Sequence, residues 1–149
     1  MWRADWRQLA MTKSNAAVNL LGLRTYELPQ LLRVVGRGFP FSAFERLQRN
    51  SGLDMEEIIG LLQFSRRTLT RRRQEGRFAA DESDRLLRAA RLLGKAIALF
   101  EGDVEAASRW WRTPQTAFGS AVPLELARTE VGGREVETLI DRLEQGVFS

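Results

Sequence analysis

The sequence predicts an all-α protein, on three observations. Apolar residues recur at spacings of three and four from Leu28 to Leu143, most of these runs open on Ser or Asp and close on Gly, and no stretch alternates as a half-buried strand does. With 149 residues the chain has the length of one compact domain or two very small ones. Cysteine and histidine are absent, which excludes disulfides, thiolate nucleophiles, imidazole bases and every Cys/His metal site. Only an oxygen-ligand site of Asp and Glu stays open as a metal centre.

The longest uncharged run, 113–124, and the apolar run 96–100 are both much shorter than a membrane helix requires. The first 24 residues mix Asp5 with Arg3, Arg7, Lys13 and Arg24 and show no small-residue cleavage pattern, so neither a signal peptide nor a membrane partner is expected. The expected location is the cytoplasm. Residues 1–79 hold 14 Lys/Arg against 7 Asp/Glu, and residues 80–149 hold 9 against 12, giving halves of +7 and −3. A basic front half suits a polyanion, and the acidic back half suits a different partner.

Taken in order, Trp2, Trp6 and Leu9 share one face of a short N-terminal helix within an extension over residues 1–26. Leu28, Leu31, Leu32 and Val35 mark the next helix, punctuated by Gly36, Gly38 and Pro40. Ser42 is expected to cap a helix over 43–50 that ends at Ser51 and Gly52. Asp54 caps residues 55–62, with Glu56 and Glu57 in the first turn where the helix dipole favours acids. After a turn at Gln63 and Phe64, Ser65 caps a helix over 66–75 closed by Gly76, whose one strong core residue is Leu69.

Asp81 is expected to open the longest helix, where Leu86, Ala90, Leu93, Ile97 and Phe100 step by four, three, four and three, and Gly102 ends it. Two heptads are too few to specify a coiled coil, so this stripe reads as core. Asp103 starts a helix that carries Trp110 and Trp111 and stops at Thr113 and Pro114. A loop follows, then a short helix from Pro123 over 124–128. A last helix over 131–145 places Val136, Leu139, Ile140 and Leu143 on one face.

The helix over 66–75 is the sharpest signal. It holds five arginines within eight positions, and it follows an amphipathic helix across a short turn. That is helix-turn-helix spacing. A second helix that buries little beyond Leu69 can turn its other sides to DNA, its Ser65 end entering the major groove. The expected contact residues are Ser65, Arg66, Arg67, Thr68, Thr70, Arg71, Arg73 and Gln74. Arginine suits the task because its planar fork pairs with guanine or with phosphate. The competing reading is a solvated basic helix that pairs with acids elsewhere in the chain. Helix-turn-helix proteins commonly bind as two-fold dimers, so a homodimer on operator DNA is expected, with the self-complementary patch on the long helix or the C-terminal segment.

Gly36 and Gly38 do not form a phosphate loop, since no GK[ST] follows. Asp81, Glu82 and Asp84 suit a helix N-terminus. Asp141 and Glu144 read as a solvent-facing pair beside Arg142 rather than as acid and base. No catalytic group, metal site or cofactor is implied.

The C-terminal third carries an ordered series: Arg109-Trp110-Trp111-Arg112-Thr113-Pro114, Phe118-Gly119, Val122-Pro123-Leu124-Glu125-Leu126, Thr129-Glu130, Gly133, Val136-Glu137 and Arg142-Leu143-Glu144-Gln145-Gly146-Val147-Phe148. It resembles the toxin-binding domain of the Xre/MbcA/ParS antitoxin family. It departs from the family pattern where Phe118-Gly119-Ser120 replaces Leu-Gly-Gly, Ala127 replaces a Leu and Leu143 replaces an Ile, all modest packing changes. Residues 60–76 resemble the family's Xre-type helix-turn-helix, so the resemblance covers about residues 27–149.

Residues 1–26 lie outside the resemblance as an N-terminal extension, and within it the resemblance implies a DNA-binding domain over 27–79, a connecting helix over 80–102 and a toxin-binding domain over 103–149. It implies a type II antitoxin that binds a RES-domain toxin, one that consumes NAD or transfers ADP-ribose from it, blocks that toxin's NAD site and represses its own operon. Arg142, Glu144, Gly146, Val147 and Phe148 are the positions it implies face the toxin. Val147 and Phe148 after Gly146 make an apolar tip on a flexible joint, although folding back onto Trp110 or Trp111 is the alternative for the same residues. A dimeric regulator without a toxin partner is the rival function, and an enzyme using Asp, Glu and a divalent ion is a second.

Overall fold

The computed structural model describes residues 20–22 and 28–146. The expected helix carrying Trp2, Trp6 and Leu9 lies outside the described residues, as do Val147 and Phe148. Among the described residues eight α-helices follow in order: α1 Leu28–Arg37, α2 Phe41–Ser51, α3 Met55–Leu62, α4 Arg66–Glu75, α5 Ala80–Leu99, α6 Val104–Arg112, α7 Pro123–Leu126 and α8 Glu130–Glu144, with a 3-10 turn at Thr116–Phe118. Among the described residues the only β pairings are two isolated bridges, Pro40 with Arg77 and Gln115 with Ala121. The chain is all-α.

Helix α5 is the axis. It packs against α1, α2, α3, α6 and α8, and it buries Leu86, Ala90, Leu93 and Ile97 while Phe100 is half-buried. The three-and-four stripe is therefore core, as its length suggested. The helix opens at Ala80 rather than Asp81, because the backbone N–H of Ala79 donates to Glu82 Oε1 at 2.8 Å. Helix α2 opens at Phe41 on Pro40, without a side-chain cap, so Ser42 is an exposed residue inside the first turn and does not cap it. Proline at that position supplies the extended dihedral that a capping serine would otherwise favour.

The remaining caps follow the sequence. Asp54 and Glu57 form a reciprocal capping box on α3, Ser65 caps α4 and Asp103 caps α6. Gly52 and Gly76 close α2 and α4 in the left-handed conformation, where a Cβ would be strained. Helix α8 opens at Thr129, whose hydroxyl accepts from the Gly132 N–H at 3.0 Å. At Gly132 an added Cβ would lie 1.9 Å from the Leu126 carbonyl oxygen, so α7 and the start of α8 pack as closely as backbones allow.

The N-terminal core is aromatic. Phe78 stacks on Phe41 and Phe64 with ring centroids 5.4 and 5.6 Å away and meets Phe44 at 6.2 Å. Backbone bonds from Phe41 N to Gly76 O and from Phe78 N to Phe39 O tie the chain leaving α4 to the α1–α2 corner. In the C-terminal half the largest fully buried side chain is Trp111. Arg112 of α6 joins the halves by gripping Glu57 of α3 through Nε and Nη2, both at 2.8 Å, and within the C-terminal half Lys95 on α5 meets Glu137 and Asp141 of α8 at 3.1 and 3.0 Å.

Candidate functional site

The arginine helix α4 stands on α3 across the turn Gln63–Phe64–Ser65. Its N-terminus is set by the Ser65 hydroxyl, which accepts from Thr68 N at 3.0 Å and donates to Thr68 Oγ1 at 2.9 Å. Leu69 is the one buried residue of α4, so packing engages a single stripe of the helix. Ser65, Arg66, Arg67, Thr70, Arg71, Arg73 and Gln74 are all exposed, and Thr68 is half-buried. The geometry thus brings the eight sequence-selected positions onto one helix with an accessible face.

The arginines are not equivalent. Arg72, absent from the selected set, turns inward: its Nε donates to Glu82 Oε1 at 2.7 Å, its Nη2 to Glu82 Oε2 at 3.2 Å and its Nη1 to Glu75 at 2.8 Å. Glu82 is buried and also caps α5, so one carboxylate fixes the start of α5 and the side of α4 together. Hydrogen bonding to Glu82, then to Glu75, raises the Arg72 pKa further above its ordinary value. Arg66 pairs with Glu56 of α3. The Arg73 guanidinium lies 5.2 Å over the Phe41 ring.

The Thr70 hydroxyl donates to the Arg66 carbonyl at 3.0 Å. This leaves Arg67 and Arg71 as the exposed arginines of α4 with no ion pair or ring contact among the described residues. A bidentate Arg–carboxylate clamp supporting an exposed basic helix is suited to hold that helix rigidly against a polyanion.

At the other end, Arg142 and Glu144 lie exposed on the last turn of α8, and Gly146 follows with a positive φ of 71°. These three form the described part of the tip, and the remainder lies outside the described residues. Of the expected solvent-facing pair, Glu144 is exposed while Asp141 is half-buried and turns to Lys95, and the i,i+3 spacing of the two acids could not reveal that the long helix supplies a lysine.

Sequence reasoning also missed the contact between the two ends. Gln63 sits in the left-handed region at φ 54°, uncommon for a residue with a Cβ, and its side-chain amide donates to the Arg128 carbonyl. Arg128 in turn donates to the Gly60 carbonyl at 3.3 Å. The turn that aims α4 therefore touches the loop that opens α8.

Fold and surfaces together define a helix-turn-helix protein whose second helical domain is docked on the first. Residues 30–91 match the family described as Antitoxin Xre-like helix-turn-helix domain, and residues 95–146 match the Antitoxin Xre/MbcA/ParS C-terminal toxin-binding domain. The chain is 34% identical over 148 residues to a protein named Antitoxin Xre from Yersinia enterocolitica, covering 99% of this chain and 92% of the relative. It is 30% identical to an Antitoxin Xre from Photorhabdus laumondii, covering 92% of this chain and 93% of the relative. A third Antitoxin Xre, from Pseudomonas putida, is 33% identical over 95 residues, covering 63% of this chain and 56% of the relative. The chain belongs to the antitoxin Xre family.

Proposed function

We propose that this protein is the antitoxin of a type II toxin–antitoxin pair. Its C-terminal domain neutralises a RES-domain toxin by occluding that toxin's NAD site, and α4 binds operator DNA to repress the operon. The observation that carries the reading is the presence, in one chain, of a match to the toxin-binding domain over 95–146 and of an exposed arginine helix held by Glu82. In this reading the chain works in the cytoplasm as a homodimer and acts by binding, without catalysis or a cofactor. Its working units are an extension over 1–26, a DNA-binding domain over 27–79, a connecting helix over 80–102 and a toxin-binding domain over 103–149.

Operator contacts fall to Ser65, Arg66, Arg67, Thr68, Thr70, Arg71, Arg73 and Gln74. Arg67 and Arg71 contribute most, because neither is engaged by a carboxylate or a ring among the described residues. Toxin contacts fall to Arg142, Glu144, Gly146, Val147 and Phe148. The glycine joint lets an apolar tip enter a cleft, and the Arg142 guanidinium can pair with acids at its rim.

Co-expression with the product of an adjacent RES-domain gene, followed by affinity capture on this chain, tests the reading. Capture by the full-length chain and loss of capture by a chain ending at Glu144 are expected. No capture by the full-length chain would leave a dimeric DNA-binding regulator as the function.

A further inference from the structure

A cleft of about 500 Å³ lies between the α3–α4 turn, α5 and the start of α8, within the size range of small-molecule sites. Its charge is at odds with the half of the chain that builds most of it. Residues 80–149 are acidic overall with 9 Lys/Arg, yet five of these, Arg85, Arg88, Arg91, Arg128 and Arg134, line this one cleft. The lining carboxylates are Glu130 and Glu137.

Two of the arginines are anchored to backbone. Arg85 donates to the Leu62 carbonyl at 3.2 Å with its guanidinium 5.3 Å over the Phe64 ring, and Arg128 donates to the Gly60 carbonyl. All five also make ion pairs, mostly exposed: Arg85 with Asp81 at 3.7 Å, Arg128 with Glu125 at 3.1 Å, Arg88 with Asp84 at 2.9 Å and Glu130 at 3.8 Å, Arg91 with the half-buried Glu137 at 3.1 Å and Arg134 with Glu130 at 2.8 Å. Exposed pairs of this kind hold weakly, and a guanidinium has five N–H donors, so each retains donors beyond its carboxylate contact. The buried side chains of Leu61, Leu62, Ala89 and Leu92 form an apolar wall in the same cleft.

We propose that this cleft binds a phosphate-bearing small molecule of nucleotide size, its phosphates held by Arg88, Arg91 and Arg134 and its base laid against the apolar wall. Arginine forks from two facing helices match the several oxygens of a di- or triphosphate, and a concave surface with an apolar floor focuses their field. A duplex is better served by the exposed face of α4 than by a cleft with an apolar wall.

Isothermal titration of the full-length chain with ADP, with inorganic pyrophosphate and adenosine as competitors, tests the site. Saturable ADP binding is expected, competed by pyrophosphate, weakened about tenfold or more in Arg88→Gln/Arg134→Gln and unchanged in Arg67→Glu/Arg71→Glu. Circular dichroism establishes that each variant is folded, and Arg91→Gln serves as a second cleft variant with the same readout. Absence of saturable binding by ADP and pyrophosphate, or undiminished binding by the folded cleft variants, would overturn the proposal. Loss of operator retention by the cleft variants without any nucleotide binding would overturn it too, and would assign these arginines to the duplex.

Discussion

Glu82 and Glu57 show how single carboxylates set the placement of whole helices. Glu82 accepts both arms of the Arg72 fork while capping α5, so removing its charge leaves a guanidinium with its best partner gone. Glu82→Gln is expected to lower the melting temperature and to weaken DNA retention although no DNA-facing side chain changes; unchanged values for both would refute its positioning role. Glu57 has its pKa lowered below the ordinary 4.5, chiefly by the hydrogen bond from Arg112. A carboxylate depressed in the folded state stabilises the protein above its unfolded pKa, and that stabilisation is lost as pH falls through the folded value. Chemical denaturation across pH is therefore expected to show wild type more stable than Glu57→Gln near neutrality, with the difference shrinking on acidification below about pH 4.5. Trp111, fully buried with its indole N–H unpartnered among the described residues, is expected to cost about 3–5 kcal/mol when replaced by Ala.

At the scale of elements, what the sequence revealed and what it concealed divide along a physical line. Local signals read correctly: Ser65 before α4, Gly76 after it, Asp54 as the cap of α3 and the stripe from Leu86 to Ile97 all depend on neighbours within a turn or two. The start of α2 was misread because Pro40 performs the work assigned to Ser42. Contacts between distant segments left no trace in spacing. The Arg72–Glu82 clamp, the Lys95–Asp141 pair and the Gln63–Arg128 bond join residues that only the tertiary fold brings together. The candidate DNA face was legible because one helix carries it, whereas the arginine cleft was not, because three segments build it. Close packing of α7 on α8 gives a further test at this scale. Gly132→Ala must displace the Leu126 carbonyl, and a thermal melt is expected to fall clearly below wild type, whereas Gly76→Ala strains only a helix end in open space and is expected to cost less.

For the molecule as a whole, the salient feature is that the two halves are not independent. Arg112 holds Glu57, Arg128 reaches Gly60, and α5 packs against helices of both halves in one shared core, so the C-terminal domain bears on the turn from which α4 projects. That geometry supplies a route by which a partner seated on α8 can alter what operator DNA meets, and the coupling is reciprocal if it exists. Operator affinity measured across a toxin titration is expected to change; a flat response would separate the two activities. Charge reversal at Arg67 and Arg71 is expected to abolish operator retention while leaving the melting temperature within a few degrees of wild type, and salt-sensitive retention by that variant would place the duplex elsewhere.

The most direct test of the proposed antitoxin action is NAD consumption by a purified RES-domain protein encoded beside this chain, titrated with the full-length chain and with the chain ending at Glu144. Stoichiometric inhibition by the full-length chain and none by the shortened one is predicted. Undiminished NAD consumption in a complex with the full-length chain would contradict occlusion of the NAD site.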